Sequence, residues 1–129
     1  MSIHQDRIVL KEAILMNKYL EQGWDGYSAE VINHSSIEQA LTFLDILPLD
    51  VRLPRAMPEP EGEVSLYWRV LYDSQSYAEI CFDKDVQGTY FGFLKDGRIY
   101  HKFDQYLVNE GIEPKLLLFL RYQASKGPL

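Results

Sequence analysis

One thiol and three imidazoles are the side chains best suited to chemistry in this sequence: Cys81, His4, His34 and His101. A cysteine nucleophile needs a base within hydrogen-bond reach and a positive surrounding that favours the thiolate. Cys81 stands in Glu-Ile-Cys-Phe-Asp, flanked by Glu79 and Asp83, which oppose thiolate formation. His101 reaches it only if their two strands are neighbours with both residues on one face. The histidines are far apart and lack metal-ligand spacing. His101 and Asp104 fall on opposite faces of a strand, so they are not a ligand pair. The stretch 83–88, Asp-Lys-Asp-Val-Gln-Gly, matches the first half of a calcium loop. Its twelfth position is Leu94, where a bidentate Glu is required, and its flanks read as strands, so a hairpin turn is expected. No G-x-S-x-G, Walker A, G-x-G-x-x-G or H-E-x-x-H pattern occurs. Nineteen acids offer many carboxylate pairs, and no spacing marks one of them. No cofactor, metal site or catalytic residue is therefore expected, and an enzyme is unsupported.

The charge is more informative. The net charge is −6, which argues against a direct nucleic-acid binder. Between Lys18 and Arg52 stand Glu21, Asp25, Glu30, Glu38, Asp45 and Asp50, with no base among them, and Glu59, Glu61 and Glu63 follow. Such a face either keeps a protein soluble or steers a basic partner. Nine tyrosines fit interfaces, where a large apolar ring with a polar tip is useful, and they fit strands equally. A single cysteine excludes an intrachain disulfide. Residues 1–7 lack a basic signal-peptide region, and the longest apolar run, 116–120, is far short of a membrane span. The expected location is the cytoplasm, with no membrane partner.

These residues need elements to hold them. Residues 3–22 predict a first helix, with Val9, Ala13, Met16 and Leu20 as the buried stripe, widened by Ile8, Leu15 and Tyr19. Gly23 is its expected stop. Residues 36–47 predict a second helix, capped by Ser35 or Ser36 and ended by Pro48. Ile37, Ala40, Leu41 and Leu44 are its expected buried face. From residue 54 the period changes from 3.6 to 2. A short edge strand is expected near 55–57, held short by Pro54, Pro58 and Pro60. Val64, Leu66, Trp68 and Val70 then alternate with Ser65, Tyr67 and Arg69. After a turn at 73–76, Ala78, Ile80 and Phe82 alternate with Tyr77, Glu79 and Cys81. Strands over 89–94 and 98–103 pair across Asp96-Gly97, a strong hairpin signal. Residues 104–111 read as a polar connection with one helical turn. Pro114 opens a third helix, with Leu117, Leu120 and Ala124 on one face.

The expected fold is a single α+β domain over residues 1–129. An antiparallel sheet of four to five strands is packed on one face by two N-terminal helices and one C-terminal helix. The other face carries Tyr67, Arg69, Tyr77 and Glu79, partly in water.

The most distinctive segment is 23–27, Gly-Trp-Asp-Gly-Tyr. Trp24 is expected to enter the core, Asp25 to accept backbone N–H bonds within its own turn, and the glycines to take unusual dihedrals. This turn, the helix ending in Leu47-Pro48, and Pro58-Glu59-Pro60-Glu61-Gly62 before a strand with Tyr67-Trp68 resemble a set of small bacterial proteins that share it. The resemblance covers residues 20–70. It departs after Tyr27, where Ser28, Ala29, Glu30 and Val31 stand in place of a Gly-Ala and a proline. It implies one compact domain of bacterial or phage origin and carries no activity.

Three classes of function remain. The favoured one is a small acidic protein-binding module that neutralises or modulates a partner, as an antitoxin, immunity protein or phage inhibitor does. Its expected contact residues are Asp25, Tyr27, Glu30, Glu38 and Asp45, with Tyr27 as the aromatic anchor and a basic protein as the partner. The alternatives are a homo-oligomeric structural or accessory protein, with a homodimer as one form, and a small-ligand binder or enzyme.

Overall fold

The computed structural model describes residues 3–69 and 76–125. Helix α1 (Ile3–Met16) runs into a 3-10 turn (Asn17–Tyr19), and α2 (His34–Ile46) follows a loop. Five strands come next: β1 (Arg55–Pro58), β2 (Val64–Arg69), β3 (Ser76–Phe82), β4 (Thr89–Asp96) and β5 (Ile99–Leu107). A second 3-10 turn (Val108–Glu110) leads to α3 (Pro114–Ser125). The strands form one antiparallel meander in the order β1-β2-β3-β4-β5. The two N-terminal helices and the C-terminal helix are those the sequence implies. The expected inner position Val70, the turn at 73–76 up to residue 75, and the Ala124 side chain lie outside the described residues.

Alternation along the strands sets the core face. Val64, Leu66 and Trp68 point to the helices, as do Ala78, Ile80 and Phe82, and all are buried. Phe43 of α2 sits at the centre, edge-on to Trp68, Phe82 and Tyr90 with centroids 6.4, 5.7 and 5.4 Å away. Edge-to-face contact suits the ring quadrupole. The last strands are longer than the sequence suggests, because β5 continues through the polar stretch to Leu107. It does so over an irregularity in which Phe103 opposes Gly92 and Tyr106 opposes Tyr90, with Gln105 at φ 50°. One extra residue there returns Tyr106 to the Tyr90 side, where the two rings lie 5.6 Å apart.

Three expectations about the helices are corrected. The second helix starts two residues earlier, at His34, with Asn33 as its cap; the Asn33 side chain accepts from Ser35 N–H at 2.9 Å. Ser36 is not a cap but a fully buried bridge. Its hydroxyl donates to the Phe82 carbonyl and accepts from the Val64 N–H, both at 2.8 Å. The helix is thereby bonded to two strands at once. The first helix ends at Met16 rather than near residue 22, and Leu20 is already extended, at φ −73° and ψ 123°.

The third correction concerns which face of α1 is buried. Ile14 is fully buried, Asn17 is buried and Leu10 packs against the core, while Ile8, Val9, Ala13, Leu15, Met16 and Tyr19 of the expected stripe are exposed and Leu20, beyond the helix, packs inward as expected. The orientation follows from Arg7. Its guanidinium donates to the carbonyls of Leu44, Leu47 and Pro48 at 2.5, 2.6 and 3.2 Å. These are carbonyls at the C-terminal end of α2, where partial negative charge accumulates. Lys11, one turn on, is ion-paired to Asp45. Both bonds turn the 7-10-11-14 side of α1 inward.

Candidate functional site

The expected site residues occupy two places. Asp25, Tyr27 and Glu30 lie on the loop between the 3-10 turn and α2. Glu38 and Asp45 lie on α2, seven residues apart and therefore on one side of the helix. The loop is built as its sequence implies. Gly23 and Gly26 take φ 79° and 85°. Asp25 Oδ1 accepts from the N–H of Tyr27 at 2.9 Å and of Ala29 at 3.2 Å. Trp24 is half-buried against the core rather than enclosed by it, because its indole N–H reaches back to the Glu30 carbonyl at 2.9 Å. The loop is also sewn to the β1–β2 hairpin, Glu30 N–H to the Pro60 carbonyl and Asn33 N–H to the Gly62 carbonyl.

Most of the acids are engaged within the chain. Glu30 pairs with Lys84 at 2.5 Å, Glu38 lies 2.9 Å from His34 one turn back, and Asp45 pairs with Lys11. Partners near the surface screen these charges, so the face is less negative than the composition suggests. Tyr27 stands out from the loop at 87% exposure.

Cys81 and His101 do not meet, and the His4 side chain lies outside the described residues. Cys81 lies on the open side of β3, His101 points under the helices from β5, and β4 runs between the two strands. Burial raises the Cys81 thiol well above the ordinary range, with Glu63 adding to the effect; its sulfur lies 3.4 Å from Glu63 Oε1. It is a poor nucleophile. Asp83 uses Oδ1 to accept from the N–H of Asp85 and Val86, which makes the 83–88 stretch a hairpin turn. Among the described residues, no three His, Cys, Asp or Glu side chains are placed as metal ligands. No helix among them is long and apolar enough to cross a membrane.

Two other surfaces have more of the character of recognition sites. The first is the sheet face away from the helices. There Tyr67, Tyr77, Phe93 and Tyr100 form a continuous run of rings across four strands, with centroids 6.3, 5.8 and 5.6 Å apart. Tyr77 also bonds Glu79 at 2.7 Å, and burial by its neighbours raises its phenol pKa. Cross-strand pairs of this kind stabilise a sheet. They also leave ring edges in water.

The second is the outer face of α1. Ile8, Val9, Met16 and Tyr19 are exposed by 55, 53, 60 and 66%, and Leu15 by 40%. Successive residues of a helix are 100° apart, so Ile8, Val9, Leu15 and Met16 fall on one side, opposite Leu10 and Ile14, with Glu12 among them, and Tyr19 is exposed on the 3-10 turn that follows. The sequence carries a signal of this: apolar residues surround α1 on two sides, more than one core contact uses. Periodicity marks both stripes and does not rank them.

No known protein family, curated protein or solved structure matches the chain.

Proposed function

We propose that this chain is a small acidic protein-binding module that neutralises or modulates a partner protein, in the manner of an antitoxin, immunity protein or phage inhibitor. The observation that carries this reading is the outer face of α1. Four large apolar side chains in water on one helix, with Tyr19 on the turn that continues it, form a candidate interaction surface, since a helix apolar on two sides is normally covered on both. Burying each such side chain contributes about 1.5–3 kcal/mol.

A different protein suits the face better than a second copy. Glu12 lies in the middle of the stripe, and each copy carries a net charge of −6. A two-fold contact centred on α1 brings two Glu12 carboxylates and two negative molecules together. A partner with a basic side chain between apolar ones removes that cost. Glu38 and Asp45 lie on the adjoining helix and, although each has a partner within the chain, both remain half-exposed or more and add a screened attraction for a basic partner.

The test compares the wild-type chain with the triple variant Ile8→Ser, Met16→Ser, Tyr19→Ser. Both should melt at the same temperature, because these side chains make no core contacts. The wild type should be monomeric by light scattering and form a stoichiometric complex with a captured host protein, reconstituted from purified components and weakened by salt. The triple variant should lose that complex. A wild-type dimer that the variant dissolves would instead establish the self-associating accessory reading. A complex that survives the triple substitution refutes this placement.

A further inference from the structure

This acidic chain has 13 basic residues, yet three of its arginines converge on one cleft. The cleft lies where the end of β2 meets the segment leading into β1. Its walls are Arg52, Leu53, Arg55, Tyr67, Trp68 and Arg69, and it holds about 330 Å³. That is the size range of small-molecule sites. Among the described residues, no carboxylate lines it. Among the described residues, no ion pair joins any of the three arginines to an acid.

The arrangement is held by the backbone. Arg55 opposes Tyr67 in the β1–β2 register, and Tyr67 and Arg69 are alternate residues of β2. All three therefore stand on the open face of the sheet. Arg52 approaches from the loop. Its guanidinium donates to the Arg69 carbonyl, and its own carbonyl accepts from the Trp68 indole N–H at 2.8 Å. It is half-buried, and burial lowers its pKa, as expected for a cation withdrawn from water with no counter-ion.

Three arginines line one small cleft with no acid among its described walls, and a dianion matches that charge. Guanidinium forks match the oxygens of phosphate in bidentate geometry. A phosphate monoester carries about −1.5 to −2 charges near neutral pH, more than one carboxylate brings. Leu53 and Tyr67 offer apolar surface for the organic part. A larger groove of about 1140 Å³ opens beside the cleft, shares Arg52, Arg55 and Tyr67 with it, and runs over Leu10 and Ala13 of α1. The acids of that groove are Asp6 and Asp50, and Asp50 is bonded to Arg121 at 3.2 Å.

We infer that this cleft binds a small phosphomonoester, with the phosphate held by Arg52, Arg55 and Arg69 and the organic group against Tyr67. None of the five apolar side chains of the outer face lines the cleft itself, while Val9 lines the groove beside it, and phosphate binding is tested independently of the protein-binding reading.

The test uses the purified full chain, titrated calorimetrically with inorganic phosphate and with phenyl phosphate at matched ionic strength in chloride. Both should bind saturably, phenyl phosphate the more tightly. The double variant R55Q/R69Q removes two side chains that make no hydrogen bond within the described fold. It should keep its melting temperature and bind either probe at least about ten-fold more weakly. The control K95Q/K102Q removes two bases from the same sheet face and should bind as the wild type does. Absence of saturable binding, unchanged affinity in R55Q/R69Q, or an equal loss in the control overturns the site. Equal affinity for the two probes overturns the role given to Tyr67.

Discussion

Ser36→Ala should cost this protein far more stability than the loss of one oxygen atom suggests. The Ser36 hydroxyl is fully buried and makes two bonds of 2.8 Å, to the Phe82 carbonyl and from the Val64 N–H. The substitution leaves a buried donor and a buried acceptor without partners. Each unmade bond of this type costs about 1–3 kcal/mol. Alanine is the better helix former, which returns about 0.5 kcal/mol. The expected net loss is about 3 kcal/mol. For a domain of this size that lowers Tm by about 10 °C. Urea unfolding at constant m-value measures it directly. The control is Thr42→Ala on the same helix, whose exposed hydroxyl bonds only its own turn, to the Glu38 carbonyl at 3.1 Å. That variant should stay within about 0.5 kcal/mol of the wild type. A Ser36→Ala protein as stable as the control would refute the claim that this hydroxyl joins α2 to the sheet.

Gly92→Ala should be the most damaging small substitution in the sheet. A Cβ at Gly92 would lie 2.1 Å from the Glu79 carbonyl oxygen and 2.9 Å from Ile80 Cα, both backbone atoms that cannot swing aside. A loss above about 3 kcal/mol, read by urea unfolding, is expected, the upper end of overpacking; a stable variant would mean that the strands do not approach this closely. Arg7→Lys should lower stability by about 1–2 kcal/mol, since one ammonium cannot serve three carbonyls in the fork geometry of guanidinium; thermal melts that coincide with the wild type would sink this. Alkaline pH should unfold the protein through its buried acids. The Cys81 thiol and the Tyr90 phenol are both raised, chiefly by burial. Their contribution is complete below their unfolded pKa values, about 8.5 and 10. It is lost as pH rises above those values, at up to about 1.4 kcal/mol per unit for each group. Cys81→Ala should flatten the stability curve above pH 9. Cys81 in the folded wild type should also react with a thiol reagent at pH 8 far more slowly than free cysteine, and rapid labelling would contradict its burial.

The sequence by itself settled the class of fold, because the signals involved are local. Period-2 alternation in 64–68 and 78–82 names the buried side of each strand, since successive side chains must point to opposite faces. The hairpin falls where the sequence put it, but its two loop residues are Gly97 and Arg98, between the paired Asp96 and Ile99, with Gly97 at φ 63° as a Gly-first turn requires. Asp25 and the glycines at 23 and 26 close their turn with bonds that span only a few residues. Tertiary structure decided the rest, where two local solutions were equally good. The helix α1 has apolar side chains on two sides, and its own residues cannot say which side meets the core. The choice was made with carbonyls 37 to 41 residues away, at the end of α2, which Arg7 reaches. Ser36 looked like a cap because serine caps helices, and it became a bridge because two strand ends left a donor and an acceptor beside it. The arginine cleft was equally hidden. Arg52, Arg55 and Arg69 are spread over eighteen positions of sequence, and only the β1–β2 pairing and the loop before it bring their charges together. Contacts between distant segments depend on register and packing, which no single stretch of chain encodes.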